Sequence, residues 1–252
     1  MKNYLKTYWK TLLFFVFMGL FGGFCVGLFM MDSYPAEIQQ EILAQGVTRP
    51  LLGVISAVQY AGYGLILGAV GIWLGKKVGL WKDEKSFEKK PVMAAVIVSV
   101  IGGMAMILLD VFIFGKFSQP IRDSYLAKPS LVFILGSVTC GGVIEEVMLR
   151  LFLMSGVAYL LHLIFERGKK KTASAILMIS NIIAALLFAA GHLPATAMLL
   201  GLSPMILFRC FLLNGGIGLL FGWLYRKYGL RYAMVAHGGC HIVSKAIWIL
   251  FM

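Results

Sequence analysis

The chain has 252 residues, 60% of them hydrophobic and 13% charged, with a net charge of +12. A mean hydropathy of +0.87 excludes an ordinary soluble domain. The positive charge does not point to nucleic acid, because the basic residues cluster in short segments between apolar runs, the pattern that orients a membrane protein.

The apolar runs are continuous rather than alternating, which excludes a β-barrel and predicts an all-α, polytopic transmembrane helical bundle in the lipid bilayer. The first run covers residues 11–31, after Lys2, Lys6 and Lys10. It is too long for the core of a signal peptide and is expected to stay as an uncleaved anchor. The second run covers 51–74, the third 92–114 and the fourth 131–165. The fifth, 172–190, leads into Gly191-His192-Leu193-Pro194; the sixth is 206–225 and the seventh 232–251. No Ser/Pro-rich linker or short repeat interrupts them, so residues 1–252 are expected to form a single membrane-embedded domain.

Loop charges test the count. Segments 1–10, 75–91, 165–171 and 226–231 hold sixteen Lys and Arg, whereas the opposite side holds four, Arg49, Lys116, Arg122 and Lys128. This asymmetry predicts seven spans, with eight as the alternative count, and a cytoplasmic N-terminus in the plasma membrane. The fourth run would measure ~50 Å as one straight helix. It must tilt, break near Gly141-Gly142, or project from the bilayer.

Only eleven acidic residues occur in the chain, and two of them, Glu145 and Glu146, sit inside this fourth run. A carboxylate at membrane depth is costly, so its presence points to function or to a specific partner. On a helix Glu146 and Arg150 are four apart on one face and can pair, whereas Glu145 is rotated roughly 140° from Arg150. Glu145 is thereby left to face something else and is a candidate general base. An internal salt bridge that only anchors the bundle is the alternative for Glu146 and Arg150.

Of four histidines, His192 follows Phe188 by four residues, and His237 and His241 share one helical face. His162 lies near a cytoplasmic end and carries no such signal. Cys25, Cys140, Cys210 and Cys240 lie in apolar runs at spacings that match no metal motif and read as small buried hydrophobes. Among the remaining intramembrane polar residues, Asp110 and Arg209 can form a structural pair. Lys245 is expected to snorkel, and Asn181 and Asn214 to bond between helices.

Three motifs in order, Glu-Glu-x-x-x-Arg at 145–150, Phe-x-x-x-His at 188–192 and His-x-x-x-(polar) at 237–241, resemble the set that marks the CPBP family. Those are the Abi or CAAX-protease-like intramembrane proteases, which include the Ras-converting CAAX endoprotease. The resemblance covers roughly residues 130–245 and implies a catalytic core in spans four to seven. It implies that Glu145 and His192 activate a water, that His237 and residue 241 stabilise the oxyanion, and that Glu146, Arg150 and Phe188 support them. Family members usually carry Asn or Asp where this chain has His241. A neutral imidazole N–H can still donate to an oxyanion. Alternatively, Glu145, His192, His237 and His241 resemble the ligand set of a divalent metal such as zinc.

The activity implied is an intramembrane endopeptidase acting on a membrane-bound or lipidated peptide or protein, with no nucleic-acid partner. The rival class is non-enzymatic: an immunity or regulatory membrane protein, or a small transporter that relays protons through Glu145 and the histidines. The charge pattern raises one geometric difficulty. It places His192 at the outer end of a span and His237 about six residues in from the inner side. The fifth helix is therefore expected to run deep, with residues 194–204 re-entering.

Overall fold

The computed structural model describes residues 2–83 and 86–252, with side chains from Lys6 onward. Glu84 and Lys85, part of the basic segment 75–91, lie outside the described residues. Among the described residues, seven helices are long and apolar enough to cross a membrane. They are α1 (Lys2–Ser33), α2 (Arg49–Val78), α3 (Lys89–Phe112), α4 (Leu131–Phe165), α5 (Ser174–Leu200), α6 (Pro204–Tyr228) and α7 (Leu230–Phe251). Each falls on one of the seven apolar runs, and among the described residues there is no strand. The protein is an all-α polytopic bundle. Helices suit this chain because each satisfies its own backbone in a solvent that offers no hydrogen bonds.

The helix ends follow local chemistry. Pro50 occupies the first turn of α2, where its missing N–H costs nothing, and Gly79 closes that helix at φ 76°. Ser203 caps α6 through its side chain, and Gly229, at φ 111°, turns the chain from α6 into α7.

Glycines set the closest approaches. On α1, Gly19, Gly23 and Gly27 repeat every fourth residue, and a Cβ on any of them would lie 2.5–2.7 Å from a backbone atom of α2. This is the small-residue packing by which membrane helices approach without a hydrophobic driving force. A second crossing joins α4 to α7, where a Cβ at Gly142 would come 2.8 Å from Gly238 Cα. That contact fixes the distance between the helix that carries the glutamate pair and the helix that carries His237 and His241.

For α4 one of the three alternatives is excluded, and for α5 the end differs from expectation. Gly141-Gly142 do not break α4. The helix runs on, wound with i→i+5 hydrogen bonds over Ser137–Glu145 and again over Val147–Met154. π-winding is wider and advances less per residue, so it shortens a run that is too long for the bilayer. The fifth run does not end at residue 190 either. Helix Ser174–Gly191 passes through His192 into Leu193–Leu200. Pro194 is accommodated because it falls in the first turn of this continuation, where no N–H is required.

Candidate active site

The π-winding of α4 rearranges the side chains around Glu145. With ~4.4 residues per turn, Glu145 and Arg150 are separated by ~50° rather than the 140° of an α-helix, and successive side chains by ~80°. Both carboxylates can then face one partner. His237, presented by α7 across the Gly142–Gly238 crossing, is that partner: its Nδ1 is 2.9 Å from Glu146 Oε1, and its Nε2 is 3.8 Å from Glu145 Oε2. Glu146 is fully buried, whereas the Glu145 side chain keeps 29% of its surface.

Behind Glu146 stands Arg150, also buried, with Nη1 3.2 Å from Glu146 Oε1. The distance makes an ion pair, but its geometry falls outside hydrogen bonding, and Arg150 Nη1 has no hydrogen-bond partner. The guanidinium is held instead by Nη2 donating to Gly218 O at 2.9 Å and by the rings of Phe188 and Phe221, at 4.7 and 5.5 Å. Glu146 therefore stands between Arg150 and His237, a second contact that i, i+4 reasoning did not supply.

Phe188 ties the remaining helix to this group. Its ring meets His192 edge-on at 4.7 Å and His237 edge-on at 5.7 Å, while Phe221 stacks on His237 at 4.5 Å. His192 lies one turn beyond Phe188, and its Nδ1 is 2.8 Å from Phe188 O. Because a carbonyl only accepts, Nδ1 carries the hydrogen and Nε2 keeps its lone pair. The depth difficulty raised by the charge pattern is resolved without a re-entrant loop. α5 continues a further two turns past His192, so this residue is interior to its helix rather than at its end.

Glu145, His192, His237 and His241 line one cavity of about 380 Å³, together with Tyr60, Phe188, Asn214, Phe221 and Lys245. This is ample for several waters or for part of a peptide. Gly141 is the closest backbone approach to the imidazoles. A Cβ there would sit 2.8 Å from His241 Nε2 and 3.8 Å from His237 Nε2. The glycine leaves a space onto which both ring edges open.

Lys245 does not snorkel. Only 5% of it is exposed, and its Nζ turns inward, 3.3 Å from His241 Nδ1 and 4.4 Å from the centre of the Phe133 ring. The signal was in the sequence: His237, His241 and Lys245 repeat every fourth residue and share a face. Tyr60, Phe221 and Asn214, which also line the cavity, carried no comparable signal. Asn214 bonds within its own helix, to Cys210 O at 3.1 Å, whereas Asn181 bonds between helices, to Leu219 O at 3.0 Å. Asp110 and Arg209 pair through Nε and Nη2, with Tyr125 OH donating to Asp110 at 2.8 Å.

The same geometry bears on a metal. Among the described residues, no three His, Cys, Asp or Glu side chains group closely enough to hold an ion. The Nδ1 atoms of His192, His237 and His241 each face another partner. As arranged, the set does not fit a resident zinc.

Residues 127–243 match the family described as Type II CAAX prenyl endopeptidase Rce1-like. The matched segment contains all three motifs and runs from just before α4 into α7. No curated protein and no solved structure matches the chain. The order of the motifs, their position on buried helices and the match over 127–243 together make this integral membrane protein similar, over that segment, to the CAAX-protease-like CPBP family.

Proposed function

We propose that the cavity is the active site of an endopeptidase that hydrolyses a peptide bond in a membrane-held or lipidated segment. The single observation that carries this reading is the pairing of a cavity-facing carboxylate, Glu145, with an imidazole, His237, that is itself backed by a buried carboxylate, Glu146. Glu145 Oε2 and His237 Nε2 are too far apart at 3.8 Å for a direct hydrogen bond. A water bonded to both at ~2.8 Å fits beside them.

Glu145 takes a proton from that water as its oxygen attacks the scissile carbonyl carbon. The C–N bond then breaks, and the proton passes to the leaving nitrogen. His237 orients the water and shares its proton, held in place by Glu146 as a triad imidazole is held by its carboxylate. His192, with an Nε2 lone pair on the same cavity, is a second acceptor for the proton in transit. The His241 edge beside Gly141 supplies an N–H to the developing oxyanion.

Most residues on the cavity wall come from the half of their helix farthest from the basic loops, while Ile217, Phe221, His237 and Cys240 lie in the nearer half. If those loops are cytoplasmic, as the sixteen-to-four asymmetry implies, the cavity occupies mainly the outer half of the bilayer and reaches past its middle at His237 and Phe221. The substrate is then a segment whose cleavage point reaches the middle of the bilayer.

The test is cleavage of a library of membrane-anchored peptides by detergent-purified protein with no ion gradient. Wild type is expected to cut, and Glu145→Ala to lose activity by ~10²–10⁴-fold while staying folded. Equal activity of the two proteins would reject the assignment of Glu145. Activity that requires a proton gradient would favour the relay.

A further inference from the structure

The geometry points to Lys245 as a positioning residue that fixes the tautomer of His241 and so makes its Nε2 a hydrogen-bond donor to the oxyanion. This inference rests on the peptidase reading of the cavity. It begins from an anomaly: Lys245 is a cation buried at membrane depth, and among the described residues no carboxylate pairs with it. Such a group is costly to keep. Its polar neighbour is His241 Nδ1, at 3.3 Å, and the Phe133 ring at 4.4 Å provides the other favourable contact.

An ammonium has donors and no acceptor, so His241 Nδ1 receives the hydrogen bond and the ring hydrogen resides on Nε2. That edge faces the space beside Gly141, toward the Nε2 of His237. The other two imidazoles are set the opposite way. His192 meets a carbonyl and His237 meets a carboxylate through Nδ1, so each donates there and leaves a lone pair on Nε2. The cavity thus holds two imidazoles poised to accept and one poised to donate, and the partner of each Nδ1 decides which. An Asn at position 241 would carry its N–H₂ without help, whereas His at this position needs a partner to choose its tautomer. Lys245, one turn further along α7, is that partner.

Two measurements on full-length protein test this. In the first, the nitrogen resonances of His241 are read from ¹⁵N-histidine-labelled protein and identified by their loss in His241→Asn. Wild type should show a protonated Nε2 and an unprotonated, hydrogen-bonded Nδ1. The Nδ1 resonance should move in Lys245→Met and stay near the wild-type value in Lys245→Gln, whose amide can still donate. A wild-type His241 carrying its hydrogen on Nδ1 overturns the proposal without any variant, as does a Lys245→Met spectrum in which His241 does not move. This reading is independent of proteolysis, so a protein that cleaves nothing would sink the peptidase assignment and leave the spectrum to decide the role of Lys245.

In the second, Lys245→Met is assayed in two backgrounds. With His241 present, kcat should fall by about 10-fold or more with KM little changed, since the removal of one oxyanion donor costs ~10²–10³-fold. With His241→Asn, the same substitution should change kcat by less than about 3-fold, because Asn needs no orienting partner. Equal losses in both backgrounds, or a rise in KM alone, would mean that the lysine meets the substrate itself, for instance a carboxylate, and would overturn the proposal.

Discussion

The two halves of the molecule are held together by different means. In the first, α1 and α2 meet along Gly19, Gly23 and Gly27, and the interface consists of backbone against backbone. In the second, α4 to α7 bury Glu146, Arg150, His237 and Lys245 among aromatic rings. Small-residue packing needs no desolvation of charge and gives a rigid pair of walls. Buried ion pairs recover much of their desolvation cost only when the geometry is good, and removing one partner strands the other. The contrast teaches where function resides. The charges of the second half are too expensive to be there for cohesion alone, because glycine contacts do that work without them, along α1–α2 and at the Gly142–Gly238 crossing itself.

Substitutions can break or sharpen this division. The largest effect is expected for Arg150→Leu, which leaves Glu146 as an uncompensated buried carboxylate and Gly218 O without its donor. A loss of ~3–5 kcal/mol is expected, read as a collapse in the yield of monodisperse protein, with activity lost alongside. A folded, fully active Arg150→Leu protein would show that Glu146 is held by His237 alone.

Next is Gly141→Ala. Its methyl carbon would lie 2.8 Å from His241 Nε2, in the space where the reacting carbonyl must sit. Activity should fall by ~10²-fold, the scale of one lost oxyanion donor. Thermal unfolding in detergent should change by only a few degrees. If Gly141→Ala instead unfolds the protein, the site and the scaffold are less separable than the two kinds of packing imply.

Gly23→Leu should do the reverse. A side chain there must enter the Ser56 carbonyl, 2.7 Å from the Cβ position, so the α1–α2 seam opens. Overpacking of this kind costs ~1–3 kcal/mol, visible as a lower melting temperature, while kcat per folded molecule should stay within about 3-fold of wild type. A selective loss of kcat would place the first hairpin inside the catalytic machinery.

The smallest effect belongs to the loop between α4 and α5. Glu166 accepts from the Ala173 backbone N–H at 2.9 Å and lies beside His162 and Lys169. The Ala173 N–H, then those neighbours, hold its carboxyl below the usual glutamate range. A lowered pKa contributes stability above the ordinary glutamate value that is lost as pH falls through the folded one. Glu166→Gln should therefore lower the melting temperature by about a degree at neutral pH. The difference should shrink as pH falls below the ordinary glutamate range and vanish below the lowered folded pKa.

Much of this architecture was legible in the sequence. Length and hydropathy decide the seven spans, and i, i+4 spacing places Glu146 beside Arg150. The pairing of Asp110 with Arg209 followed from the cost of leaving either charge alone. What escaped depended on the backbone or on the approach of a distant helix. Nothing in Ser137–Met154 announces π-winding, which turns Glu145 from ~140° to ~50° from Arg150. The second partner of Glu146 comes from a helix ninety-one residues away, which no local pattern encodes. His192 was misplaced because Gly191 and Pro194 look like a helix end, whereas a proline in a first turn is compatible with continuation. Lys245 was misjudged by treating a lysine near a helix end as free to reach water, although its spacing from His241 already put it on the cavity face.

The Gly142–Gly238 crossing has a consequence for how the chain could be taken apart. The register between α4 and α7 is set by two backbones in contact, and no side-chain rotamer intervenes. Such a joint has one setting and nothing to adjust. Severing the covalent connection in the charged loop at 166–171 and co-expressing the two pieces should let them find each other at this point, as a key finds its ward, and restore the separation of Glu145 and His237 found in the intact chain.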